Sequence, residues 1–259
     1  SQAGSWQTSA NAPGAVPLAL DSVYFSEGND NITAGLNQSG IVSYALLEFT
    51  RGGSNRVGNA GAVFRAPITT TLLTYAASGG WLHCQQQVVT TAQMASLGGY
   101  CSFSGTGTIT ALESFSGRTD LADTAVVTTH RNYGGEVNAA YNTTAFTTLG
   151  VFGGRVTTLR TSTTLNVTGG TCVLNVSTTA LAATTANING GYVLWQRGGA
   201  TTVTIEGPPG TIIDFSQVSA PLTLATVNIG PGPRVIGSDL VTVSTTNLRG
   251  NRAAFFGSF

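Results

Sequence analysis

Charge is what this 259-residue chain most lacks: 8% of its residues are Asp, Glu, Lys or Arg, about a third of the share usual in soluble domains. Lysine is absent, so the 11 basic residues are all arginine, and 11 acidic residues balance them. A chain with no basic stripe carries no electrostatic footprint for nucleic acid or for an anionic membrane surface, and neither is expected as a partner. Long apolar runs are missing too. Residues Thr161 to Gln196 carry no charge, but they are full of Thr, Asn and Gly rather than continuously apolar, which excludes a membrane-spanning helix. The opening SQAGSWQTSANAPGAVPLAL has no basic n-region and no long apolar core, so no signal peptide is expected within it. Three cysteines without Cys-x-x-Cys spacing offer no metal-ligand pattern, and no cofactor motif is present.

Thr, Gly, Ser, Asn, Ala and Val fill the space that charge leaves, a composition of strands and turns. Alternating apolar and polar runs meet at pairs of glycines, as in TLNVTGGTCVLNV (164–176). The second glycine, or an equivalent turn residue, recurs at Gly80, Gly99, Gly117, Gly135, Gly154, Gly170, Gly191, Gly210 and Pro233, at intervals averaging about 19 residues. Hairpins have no reason to keep such a period, whereas one coil of a parallel β-helix has that length. Two residues after each anchor stand Leu82, Cys101, Thr119, Val137, Val156, Cys172, Val193, Ile212 and Val235, an almost wholly apolar column that is expected to face inward. The column one residue earlier (Trp81, Tyr100, Arg118, Glu136, Arg155, Thr171, Tyr192, Thr211, Arg234) is expected to face out. The expected fold is all-β, a single-chain parallel β-helix with coils over residues 65–237. Residues 1–64 form an N-terminal cap with the first strands, and 238–259 a C-terminal tail.

Cys101 and Cys172 share a column but are four coils apart, roughly 19 Å at the strand spacing, too far for a disulfide. Cys84 is offset along its strand, so all three read as free thiols filling the core. Parallel β-helices often act on polysaccharides, and glycoside cleavage needs two carboxylates facing one groove. Asp120, Asp123 and Glu113 are the candidates, but they are too dispersed to make a pair. His83, Ser102, Asp120, Asn138 and Thr157 form an outward polar column in which His83 and Asp120 are two coils apart, too far for a hydrogen-bonded relay. No catalytic residue is assigned, and the chain is not expected to be an enzyme. Arg118, Glu136 and Arg155 read as an exposed charge ladder.

Past Thr157 the polar column turns apolar, with Val173, Leu194, Ile213 and Ile236. Such an outward strip marks a partner surface or a face covered by a fourth strand or the chain's own C-terminal segment VSTTNLRGNRAAFFGSF. The first is favoured, and these four residues, with Phe255 and Phe256 of the terminal FFGSF, are the expected interface of a homo-oligomer, a trimer being favoured.

The segment SWQTSANAPGAVPLALDSVYF, the bend RGGSNRVGNAG and coils such as TTLNVTGGTCVLNVS and TTANINGGYVLWQ resemble the small β-helical structural proteins of tailed bacteriophages, especially capsid decoration or cement proteins. The resemblance implies oligomers seated on the major capsid protein at the outer surface of the virion, locking the shell, with no cofactor and no direct contact with nucleic acid. A tail adhesin or receptor-binding spike shares the β-helix and is the alternative, with a polysaccharide-degrading β-helix behind it.

Overall fold

The structure, a computed structural model, describes residues 20–25, 44–50, 56–57, 66–176, 181–249 and 254–256. Its strands pair in parallel with their equivalents one coil away, and no helix occurs among the described residues. The chain is a β-solenoid of about nine turns, repeating every ~19 residues.

Each coil contributes one strand to each of two walls, and the glycine corner joins them. Wall A follows the corner, where Glu136–Ala139, Arg155–Thr158, Thr171–Asn175 and Tyr192–Arg197 pair in succession. Wall B precedes it, with Val126–Asn132, Phe146–Val151, Ser162–Val167, Leu181–Ile188 and Gly199–Ile205 stacked in order. In the early coils the strands Trp81–Phe103 and Thr108–Leu121 run through both walls, bending at the corner without breaking. The corner needs glycine for two reasons. Gly154 has φ +62°, which side chains disfavour. A Cβ there would also lie 2.3 Å from the carbonyl oxygen of Gly135 in the coil before.

The interior follows the period-two alternation. In wall A, Leu82, Cys101, Thr119, Val137, Val156, Cys172 and Val193 are all buried. In wall B, Leu149, Leu165, Ala186, Val203 and Val227 form one inward file and Val151, Val167, Ile188, Ile205 and Ile229 the next. A fully buried Val, Leu or Ile contributes about 1.5–3 kcal/mol, so these files supply the main stabilisation. Cys84, Cys101 and Cys172 are free and buried, and burial pushes the Cys172 thiol up to about 12.

One turn of the expected alignment is corrected. At GPPGTIID the corner is one residue longer, so Thr211, not Gly210, takes the place of Gly191. The amide of Ile212 donates to the Gly191 carbonyl as that of Tyr192 does to Gly170. Register therefore pairs Ile212 with Tyr192, Ile213 with Val193 and Asp214 with Leu194. Ile213 is fully buried in the core, and Ile212 is on the outer side.

The stack also extends past residues 65–237. Ser22–Phe25 pairs with Tyr44–Phe49, which pairs with Ala66–Tyr75, so the described part of 1–64 is already coil. Of the bend RGGSNRVGNAG only Arg56–Val57 is described, paired with Trp81 and Leu82. Within 238–259, Val241–Leu248 adds a strand to wall B and Ala254–Phe256 one to wall A.

Candidate functional site

Half-way down the stack the interior turns polar. His130 stands in a wall B file between Leu112 and Leu149 and is fully buried. Its Nε2 lies 3.3 Å from the Ser114 hydroxyl, and its ring is tilted against Phe146. Burial, with Arg160 nearby, pushes its pKa down to about 3, so the imidazole is neutral. Arg160 is 1% exposed, and its guanidinium donates to three backbone carbonyls: Nε to Ala140 at 2.8 Å, and Nη1 and Nη2 to Ala125 and Ala122 at 2.5 Å. Its Cζ lies 5.6 Å from the centre of the Phe146 ring. Arg160 thereby ties together the segments that leave wall A in three successive coils.

Those tied segments border a groove of about 480 Å³ on the outer side of wall A, lined by the polar His83, Tyr100, Ser102, Ser104, Asp120, Asn138 and Thr157 and by a larger apolar surface from Phe103, Leu121, Ala139 and Leu159, with Ala122 and Ala140 at its edge. His83 Nδ1 and the Ser102 hydroxyl are 2.7 Å apart. The Asp120 carboxylate accepts from the Tyr100 hydroxyl at 2.9 Å, from Arg118 Nε at 3.0 Å and Nη2 at 3.2 Å, and from the Asn138 amide at 3.2 Å. Burial and then the Asp120 contact push the Tyr100 phenol up to about 12, so it stays a neutral donor. Arg118 also lies over the Tyr100 ring, and Trp81, exposed beside it, meets that ring edge-on at 6.5 Å.

This geometry places the acid candidates apart. Glu113 is on wall B, held by Gln93 and Arg131, whereas Asp120 is on wall A and Asp123 is in the exposed turn that follows. Asp120 hydrogen-bonds Tyr100, Arg118 and Asn138, and Ser102 stands between it and His83 in the column. Arg118, Glu136 and Arg155 do stack in register, but the ion pair is Arg118–Asp120 within one strand. No group of three or more His, Cys, Asp or Glu residues suited to a metal occurs among the described residues.

The expected interface strip is broken. Val173 is 6% exposed, Ile213 is in the core, and Leu194 and Ile236 are half-buried on either side of Asp214. Asp214, not Ile213, holds the column position between Leu194 and Ile236, and its carboxylate accepts from the Tyr192 hydroxyl at 2.7 Å and from the Ser216 amide at 2.8 Å. The backbones of Phe255 and Phe256 pair with Val235 and Ile236 as the next coil, and their side chains lie outside the description.

An exposed apolar surface does exist, one corner away. Phe115, Tyr133 and Phe152 stand on successive coils with rings stacked at 5.1 and 5.0 Å, each 42–43% exposed. All three lie two residues before a corner glycine, a column that an alignment carried slightly upstream would have displayed. Wall B's outer face shows a second repeat: Thr129, Thr148, Thr164, Thr185, Thr202, Thr226 and Thr245 form one file. Beside it, Asn187 bonds Asn166 and Asn247 bonds Asn228, both at 2.9 Å.

Comparison with protein-family models, with curated proteins and with solved structures finds no match to this chain.

Proposed function

We propose that the chain is a structural, non-catalytic component of a tailed-bacteriophage particle that decorates the outer capsid shell and stabilises it by contact with the major capsid protein. The observation that carries this reading is the Phe115–Tyr133–Phe152 ladder, three stacked and part-exposed rings that make one flat aromatic surface, whereas the other exposed large apolar residues among those described stack in no such file. Exposed apolar surface of that kind marks a contact with another protein. A net charge of zero and sparse surface charge suit dense packing of many copies, because neighbouring subunits do not repel one another. The homotrimer implied by the resemblance belongs to the same proposal, and light scattering reads it.

The test is quantitative mass spectrometry of purified particles from the phage that encodes the chain, followed by rebinding of added protein to particles lacking it. A copy number comparable with that of the shell protein is expected, as is reduced occupancy by the folded double variant Phe115→Ser/Phe152→Ser. Absence from particles, or a copy number typical of a tail tip, overturns the capsid reading.

A further inference from the structure

We propose that the wall A groove binds a neutral oligosaccharide lying along the solenoid axis. The inference does not depend on the capsid reading and stands whatever particle the chain belongs to.

Length and direction come from the coils. His83, Ser102, Asp120, Asn138 and Thr157 line the groove from five successive coils, so polar groups repeat at the strand spacing over roughly 19 Å. A ligand that uses them is elongated and offers hydrogen-bonding groups at short, regular intervals. The chemistry of the groups narrows its class. Asp120 is matched by the Arg118 guanidinium and further engaged by Tyr100 and Asn138. The carboxylate and guanidinium neutralise each other, which favours an uncharged ligand over an acidic or a basic one. What remains for a ligand is the Asn138 amide oxygen and the hydroxyls of Ser102 and Thr157, a mixed set of donors and acceptors suited to hydroxyl groups, which both give and take hydrogen bonds. The set is preorganised because His83 fixes Ser102 and Asp120 fixes Asn138. At the end of the groove near His83, the exposed Trp81, edge-on to the half-buried Tyr100, offers aromatic surface to the apolar C–H face of a pyranose ring. The volume of about 480 Å³ lies in the range of sites that hold small ligands.

The full chain is titrated with cello-, malto-, manno- and chitohexaose, and with a polygalacturonate hexamer as the anionic contrast, by saturation-transfer NMR and isothermal calorimetry. At least one neutral hexaose is expected to bind. Asn138→Ala/Thr157→Val should weaken that binding by about tenfold or more, as expected on losing several ligand hydrogen bonds. Asn187→Ala/Thr204→Val on wall B should leave it unchanged, with both variants melting like the parent. Should the first pair fail to fold, Ser102→Ala takes its place with the same expectation. The proposal is overturned if no neutral hexaose binds, if only the anionic hexamer binds, or if binding survives the groove variants.

Discussion

Coils built from residues 80–160 and those from 161–236 share one backbone plan and differ in almost everything that faces away from it. The first set carries the Arg118–Asp120 pair, the exposed Trp81, the aromatic ladder and the groove, and its interior holds His130 and Arg160. The second has an interior without a buried histidine or arginine among the described residues, where the files of Val193, Val203 and Val227 pack with the fully buried Trp195 and Phe215, and it continues the outer Thr file of wall B. Parallel stacking sets the backbone and the parity of each side chain, and leaves the outward positions free to vary. Repetition in the second set thus reports the requirements of the fold, and the departures from repetition in the first are where the proposed contacts lie.

That contrast can be broken most severely at Arg160. Arg160→Met withdraws the donors that serve three carbonyls, at a cost on the order of 2–4 kcal/mol, and should also loosen the groove edge at Ala122 and Ala140. Chemical denaturation measures the first effect, and hydrogen exchange at residues 122–125 and 140 the second. Arg197→Met, on the exposed side of the second set, should show neither. Gly154→Ala comes next, since its Cβ would meet the Gly135 carbonyl and its φ is positive. About 1–3 kcal/mol of destabilisation is expected, read as a lowered melting temperature.

Acid sharpens the comparison further. His130 titrates near 6.5 when unfolded and near 3 when folded, so between those values the unfolded chain holds the extra proton. Stability is therefore full above about pH 6.5 and falls on acidification, by up to about 1.4 kcal/mol per pH unit. His130→Leu, matching the neighbouring Leu112 and Leu149, should lose less stability than the parent between pH 7 and pH 4 in parallel urea titrations. The smallest effect belongs to Arg155→Ala, an exposed position that should change stability by no more than about 0.5 kcal/mol.

Most of the solenoid was legible in the sequence because corner glycines and alternation repeat as local signals. Leu82 through Val193 could be assigned to the interior without any knowledge of contacts. The misplacement of Ile212 and Ile213 shows where this fails. GPPG resembles the other corners, but the residue equivalent to Gly191 is Thr211, and one added residue inverts the side chains of the strand Ile212–Asp214, while the next coil returns to the expected faces at Val235. Arg160 and His130 were illegible for another reason: a charged or titratable side chain in a Thr-rich run reads as surface, and only the fold reveals three carbonyls converging on one guanidinium. Asp120 was assigned to the correct face, but its partners come from three different coils, so the groove itself could not be read along the chain. The ladder is legible as a column two residues before the corner glycines Gly117, Gly135 and Gly154, outside the strands that follow the glycines.

The register at that longer corner is the point on which the assignment of faces rests, and two adjacent substitutions test it. Ile213→Asp places an unpaired charge in the core and should cost several kcal/mol or prevent folding. Ile212→Asp lies on the outer side and should leave the chain folded, with a melting temperature close to that of the parent. Circular dichroism melts of the two variants, run side by side, supply the measurement. Loss of the cooperative transition in Ile213→Asp alone is the result this account predicts. Loss in Ile212→Asp with Ile213→Asp intact, or equal behaviour of the two, contradicts it.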